Sequence, residues 1–317
     1  MKRPLLLLLF AVLLVACAAP QATRARETGR DYQRVVVLSD PHYGRAQADG
    51  ASGGKESSPD LKLRAVEDVN SWEDVDLVAV TGDIVAKYGS EEEYARAARF
   101  LRAIRKPKAV IAGNHEYMYA DAPEGGKLVR GTPQERSLKL DRFRRDLGVP
   151  ELHYTVALGQ YLLVFLSPDV TDGGFLTEIS SGQLAWLSDT LQAHPGSPTL
   201  IFFHAPLKGT LDTYSEKINS PQRVAQPEKA IHDVLMANPQ VKAWVSGHTH
   251  TSPAQPSFLS DVNLYHGHVV GIHNTDMNRK TIWTNSIFLY DDKIVIRTWN
   301  HAETRWEDVL ERTITVK

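Results

Sequence analysis

Five short polar motifs fall in a fixed order along the chain, and each stops a run rich in β-branched or apolar residues. They are Asp40-Pro41-His42 after Arg34–Ser39, Gly82-Asp83 after Asp76–Thr81, and Gly113-Asn114-His115-Glu116 after Lys108–Ala112. His204 follows Thr199–Phe203, and Gly247-His248-Thr249-His250 follows Val241–Ser246. A short, nearly continuous apolar run bounded by a turn reads as a strand buried on both faces. The spacing therefore predicts a buried sheet system whose strand ends carry the polar residues. Such loops sit at one rim of the sheet, where side chains from distant parts of the chain converge.

The segments between these runs predict helices and further strands. Leu61, Ala65, Val66 and Val69 recur at helical spacing within Leu61–Trp72, and Glu91–Arg105 reads as a helix with Ser90 as its N-cap. Ser181–Ala193 and Pro227–Ala237 are two more helices. Tyr154–Leu158 and Leu162–Ser167 read as an adjacent strand pair. Ile282–Tyr290 and Lys293–Thr298, joined by Asp291-Asp292, read as a β-hairpin. Tyr43–Pro59 is a loop rich in Gly, Ala and Ser, and Gly271–Asp276 is a polar loop that includes His273. Strands alternating with helices define an α/β chain. With no internal repeat or low-complexity block, residues 32–317 read as one catalytic domain.

The first 31 residues stand apart from that domain. Lys2 and Arg3 precede the apolar stretch Leu5–Val15, which has the length of a signal h-region and is too short to span a bilayer. The stretch ends in Leu14-Val15-Ala16-Cys17, and Cys17 is the only cysteine of the chain. This segment resembles a bacterial lipoprotein signal. Residues 1–16 are then a cleaved leader, Cys17 the lipidated N-terminus and residues 17–31 a flexible tether. The expected location is extracytoplasmic, anchored to the membrane through the lipid on Cys17. Ala18 in place of Asp favours the outer membrane in a cell with two membranes. Loss of Lys2 and Arg3 leaves 34 basic against 38 acidic residues, a charge of -4. A mildly acidic chain has no built-in attraction for nucleic acid, so nucleic acid is not expected as an obligate partner.

Asp, His and Asn suit Mn, Fe, Zn, Co or Ni, and a carboxylate is available to bridge two ions. Asp40 and His42 lie two apart beyond one strand, as do His248 and His250 beyond another, so each pair can turn toward one point. Glycines at 82, 113 and 247 precede ligands at sharp turns, where backbone must approach closely. Two neighbouring ions can activate water and stabilise negative charge, which makes such a pair a hydrolytic device. Neither a Gly-x-Ser-x-Gly elbow nor a P-loop pattern is present.

Taken together, the five motifs resemble the complete signature of the calcineurin-like metallophosphoesterases, over about residues 34–252. The resemblance implies an α/β fold of two sheets flanked by helices, with a dinuclear metal site at the strand ends. It implies Asp40, His42 and His250 as ligands of a first ion, Asn114, His204 and His248 as ligands of a second, and Asp83 as the bridge. His115 matches the family's non-ligand histidine, which contacts phosphate and assists the leaving group. Glu116 is expected to orient His115. The implied chemistry is attack on phosphorus by a hydroxide bridging two divalent or Fe-type ions, on a small phosphoester, with phosphodiesters slightly favoured. A phosphomonoesterase or nucleotidase that scavenges phosphate, and a surface lipoprotein that binds a phosphoryl ligand without turnover, are the rival readings.

Three further features bear on substrate. Tyr117–Gly148 carries Arg130, Arg136, Arg142, Arg144 and Arg145, which form either a basic cap over the site or a solvated, salt-bridged helix face. Leu207–Gln226 reads as an insertion over the cleft and is the expected seat of substrate selection. His266-Gly267-His268 reads as a loop or strand edge rather than a further metal site.

Overall fold

The computed structural model describes residues 29–44, 59–122, 126–213 and 217–316, so Cys17 and the leader lie outside the described residues. The chain runs through β1 (Tyr32–Leu38), α1 (Pro59–Ser71), β2 (Leu77–Val80), α2 (Glu91–Ala103), β3 (Lys108–Val110) and α3 (Asn114–Tyr117). It continues through α4 (Pro133–Leu147), β4 (His153–Leu158), β5 (Tyr161–Leu166), α5 (Ser181–Ala193), β6 (Thr199–Phe203), α6 (Glu228–Met236) and β7 (Val241–Ser246). The last part is β8 (Leu264–Tyr265), β9 (Val269–His273), β10 (Trp283–Tyr290), β11 (Lys293–Asn300), β12 (Arg305–Trp306) and β13 (Arg312–Thr315).

These strands build two mixed sheets. One has the order β12-β11-β10-β1-β2-β3, with β13 also paired to β11; the other has the order β4-β5-β6-β7-β9-β8. β1, β2 and β3 are mutually parallel, as are β5, β6, β7 and β9. The motif-bearing strands therefore all release their loops at carboxyl ends. The hairpin β10–β11 adds antiparallel to β1, with Val35 opposite Ile287 and Val37 opposite Asn285.

Alternation along a strand sends successive side chains to opposite faces. Val35 and Val37 of β1 face the other sheet, where they join Leu77, Ala79, Leu163, Phe165, Leu200, Phe202, Val245 and Ile272 in the core between the sheets. Val36 and Leu38 face outward and pack with Val78 and Val80 beneath α1 and α2, against Val66, Val69, Tyr94, Ala97 and Phe100. The second sheet repeats the scheme. Val164, Leu166, Ile201, Phe203 and Trp244 lie under Leu184, Leu187 and Leu191 of α5 and Ile231 and Leu235 of α6. Burial on both faces is why these strands read as unbroken apolar runs.

Most expected elements are present within one or two residues, and Ser90 caps α2 by accepting from the amide of Glu93 at 3.3 Å. Two departures matter. Gly271–Asp276 is not wholly a loop, because its first residues continue β9 as far as His273. The Arg-rich segment holds α4, entered through a capping box of Thr132 and Glu135 and ended by Gly148 at φ 69°.

Phe165 and Phe202 stack between the sheets with ring centroids 4.6 Å apart. Phe202→Ala opens a cavity where neither sheet can collapse onto the other. It is expected to cost about 3–5 kcal/mol of unfolding free energy, measured by urea denaturation.

Candidate metal centre

The strand ends of both sheets meet around two groups of side chains. Asp40, His42, Asp83 and His250 bring one ligand atom each within 4.8 Å of one another, and Asp83, His204 and His248 do the same. Asp83 belongs to both groups. Its Oδ2 lies 3.2 Å from His204 Nε2 and 3.9 Å from His42 Nε2. His42 Nε2 faces His250 Nε2 at 3.4 Å, and His204 Nε2 faces His248 Nδ1 at 3.2 Å. Asn114 lies between Gly113 and His115, and its Oδ1 is buried with no hydrogen-bond partner. Its Nδ2 donates to the Tyr119 hydroxyl at 3.2 Å. All seven expected ligands are thus at one rim of the fold.

The backbone aims these side chains at a conformational cost. Asp40 (φ 48°), His42 (φ 41°), Asp83 (φ 51°), His248 (φ 63°) and His250 (φ 50°) all lie in the left-handed region. That region costs an ordinary residue about 1–3 kcal/mol and persists only where surroundings enforce it. Gly82, at φ 90°, cannot be replaced cheaply, because a Cβ there would stand 2.5 Å from the Gly113 nitrogen. A Cβ on Gly247 would collide with Asp40 Oδ2 and Ser39 Oγ. Both glycines are required for backbone to pass beside a ligand.

Hydrogen bonds fix which atom faces inward in three of the four rings, while His42 Nδ1 is buried without a hydrogen-bond partner. His204 Nδ1 donates to the Thr81 carbonyl at 2.7 Å, leaving Nε2 toward Asp83. His248 Nε2 donates to the Gln222 carbonyl at 3.0 Å, leaving Nδ1 toward His204. His250 Nδ1 pairs with Asp276 Oδ2 at 2.7 Å, leaving Nε2 toward Asp40 at 3.1 Å. Arg279 holds this last pair from behind, with Nε 2.7 Å from Asp276 Oδ1 and Nη2 donating to the His250 carbonyl at 2.8 Å. Such outer partners orient a metal-binding imidazole and set its tautomer.

Charge in the centre is arranged for cations. Burial works against a proton on His204, but Asp83 and Asp40 outweigh it and push its pKa up to about 9. Burial likewise opposes a charged His250, and Asp276 and Asp40 push it up to about 10. Burial holds His42 and His248 well below the usual imidazole range, helped by His115 and His204 respectively, so both favour the neutral, ligating form. Burial opposes ionisation of Asp83, yet His204 and His115 keep it well below the usual carboxylate range. Metal and proton compete for such sites, because imidazole ligates only when neutral. The donor set, the carboxylate field and the unpartnered Asn114 Oδ1 fit two transition-metal ions.

His115 lies beside the groups, not within them. Its Nδ1 pairs with the Lys87 carbonyl at 2.6 Å, its Nε2 lies 3.9 Å from Asp83 Oδ2, and its ring centroid is 4.9 Å from that of His42. The expected contact with Glu116 is not made. Glu116 Oε1 accepts from the amides of Ile84 and Val85 at 2.7 and 3.0 Å, and Oε2 from those of Asp83 and Gly113 at 2.7 and 2.6 Å. Glu116 is the third residue of α3 and reaches back to its N-cap, Gly113, so the carboxylate is committed to backbone. Burial and then the Asp83 charge push its pKa up to about 7, while the Val85 and Gly113 amides pull it down.

His273 is buried with Nε2 2.8 Å from the Thr210 carbonyl and belongs to neither ligand group. The Arg-rich helix does not cap the site: Arg145 pairs with Asp146 at 2.7 Å, Arg142 donates to the Gly89 carbonyl, and Arg136 serves the carbonyls of Gly131, Thr171 and Gly173. Asp276 and Arg279 were not expected. Asp276 lies in the segment read only for His273, and nothing local in the sequence couples it to His250.

A two-sheet α/β fold with clustered histidines and a shared aspartate at its strand ends defines a metallophosphoesterase. The chain belongs to the calcineurin-like phosphoesterase family, whose model matches residues 33–252. It is 28% identical over 218 residues to a probable cyclic nucleotide phosphodiesterase of Rhodopseudomonas palustris, covering 68% of this chain and 71% of that protein. It is 31% identical over 138 residues to a glycerophosphodiester phosphodiesterase of Enterobacter lignolyticus, covering 41% of this chain and 42% of that one. The chain spans 15% to 71% of the length of the curated relatives it matches. Its fold is like that of a dimetal phosphatase from Danio rerio, with a TM-score of 0.62 at 16% identity, over 91% of this chain and all of that one. That membership makes hydrolysis of phosphoric esters the activity to propose for the chain.

Glu116→Gln keeps the shape but places an amide donor against two of the four backbone donors. It is expected to cost about 2–4 kcal/mol and to weaken metal binding, read by thermal unfolding and by metal content after dialysis.

Proposed function

We propose that the chain hydrolyses phosphodiesters at a centre of two metal ions. Asp40, His42 and His250 would hold one ion, Asn114, His204 and His248 the other, and Asp83 both. The observation that carries this reading is the membership of Asp83 in both ligand groups. When bound, the ions would supply Lewis acidity toward phosphoryl oxygens and lower the pKa of water at the site. The chain's own residues supply the rest. Asp83 and Asp40 set the negative field, and Thr81, Gln222 and Asp276 keep three imidazoles in ligating orientation. His115, with its Nδ1 hydrogen held by the Lys87 carbonyl, turns Nε2 to the side of Asp83. Nε2 is the atom from which a proton would pass to a departing alkoxide. The diester preference is supported by the two relatives named as phosphodiesterases.

The purified chain, reconstituted separately with Mn, Zn, Fe and Co, is expected to cleave an aryl phosphodiester at least about tenfold faster than the matching monoester. A monoester preference overturns the diester reading. His115→Ala is expected to retain two ions per chain while turnover falls by about 10²–10⁴-fold. Loss of an ion would make His115 a ligand. Absence of turnover on both esters with two ions bound would favour the phosphoryl-binding rival.

We further read Cys17 as the lipid attachment point of an extracytoplasmic, membrane-anchored enzyme. Support comes from the basic Lys2-Arg3, the apolar Leu5–Val15 and the single cysteine at the end of Leu14-Val15-Ala16-Cys17. Cys17→Ser is expected to move the protein from the membrane to the soluble fraction of lysed cells. Retention in the membrane fraction would reject the lipid anchor.

A further inference from the structure

His248, at the end of β7, is held from outside by a residue late in the connection that leaves β6 through His204. Its Nε2 donates to the backbone carbonyl of Gln222, which lies between β6 and α6. A main-chain carbonyl orients a ring only as well as its own peptide is fixed. The Gln222 side chain is fixed by a closed ring of three hydrogen bonds. Arg130 Nη2 donates to Gln222 Oε1 at 2.9 Å, Arg130 Nη1 donates to the Gly174 carbonyl at 2.6 Å, and Gln222 Nε2 donates to that same carbonyl at 3.0 Å. Three separate loops meet here. Arg130 precedes α4 and is bridged to Tyr119, Gly174 follows β5, and Gln222 sits at the turn where the Arg223 amide donates to the Ser220 carbonyl. Beyond that turn the chain is pinned again, by Ala225 to the Pro206 carbonyl and Gln226 to the Thr177 carbonyl.

The geometry points to Arg130 and Gln222 as positioning residues for His248: their clasp on Gly174 holds the Gln222 carbonyl where it keeps His248 Nδ1 directed into the second metal position. This rests on the two-metal reading above. The chemistry is that of a neutral imidazole, in which one nitrogen bears hydrogen and the other ligates. With the Gln222 carbonyl in place, the hydrogen stays on Nε2 and the lone pair on Nδ1, 3.2 Å from His204 Nε2. With the carbonyl displaced, the tautomer in which Nδ1 bears the hydrogen gains population and the ring is free to turn. The Leu207–Gln226 insertion thereby serves the metal centre, in addition to any contact it makes with substrate. Gln222 meets the centre at His248, a member of the second group alone, and Arg130 acts through Gln222, so it is the second position that depends on them.

The test uses the full chain stripped of metal and titrated with Co by calorimetry. His250→Ala serves as the background that reads the second position, and His204→Ala as the one that reads the first. Gln222→Ala and Arg130→Met are each expected to weaken the second position about tenfold, to leave the first unchanged, and together to cost no more than either alone. In the metal-free protein, long-range nitrogen NMR of the His248 ring is expected to shift from the Nε2–H tautomer toward a mixture in both variants. General loosening of the fold would not produce that signature. Unchanged affinity at the second position in both variants overturns the clasp, as does equal weakening of both positions. A parent chain that binds fewer than two ions overturns the two-metal reading, and this inference with it.

Discussion

One buried carboxylate ties the centre together. Glu116 draws the amides of Asp83, Ile84, Val85 and Gly113 onto its two oxygens, and so binds the loop after β2 to the loop after β3. Without it, four main-chain donors would be buried without acceptors, at roughly 1–3 kcal/mol each. The position of Asp83, and hence of the carboxylate common to both ligand groups, follows from this gathering. So does the path of Asn114 and His115, which begin the short helix that Glu116 caps.

The ligands are held against their own backbone preferences, and the second layer explains how. Five of them occupy left-handed conformations. Asp, Asn and His tolerate that region better than bulky or branched residues, which suits the residue types found here. The remaining strain is opposed by contacts from the surrounding protein. Lys62 donates to the His42 carbonyl at 3.1 Å, Asp276 and Arg279 grip His250, and the amide of His248 donates to Asp40 at 3.1 Å. The rings of His204, His248 and His250 are thus fixed at both ends, by the site and by the protein behind it.

What the sequence makes legible follows from how far each signal extends along the chain. Ser181–Ala193, Thr199–Phe203 and Val241–Ser246 are found with their observed limits because each carries its own period or a nearly continuous apolar run between polar stops. β8 and β12, two residues each, and β13, with its alternating Arg-Thr-Ile-Thr, offer too little pattern, and Gly271 inside β9 disguises that strand as a loop. The ligands are visible because turns after strands concentrate them in short motifs. Their supports are not, since Asp276, Arg279 and Gln222 meet His250 and His248 only through the folded chain. Glu116 is the instructive case. Its position three residues after Gly113 is a capping signal, but proximity to His115 in the sequence suggests a partnership that the helix geometry turns aside.

The two ligand groups are also divided between the sheets. Asp40, His42, Asp83 and Asn114 come from the ends of β1, β2 and β3, whereas His204, His248 and His250 come from β6 and β7. Neither sheet alone holds either group. A chain emerging from the ribosome has Asp40 and Asp83 long before β7 exists, and docking of the two apolar faces is the last requirement for a complete set. Hydrolytic competence therefore arrives with the finished fold and not before, and a partly folded or proteolytically halved molecule would be inert toward the phosphoesters around it.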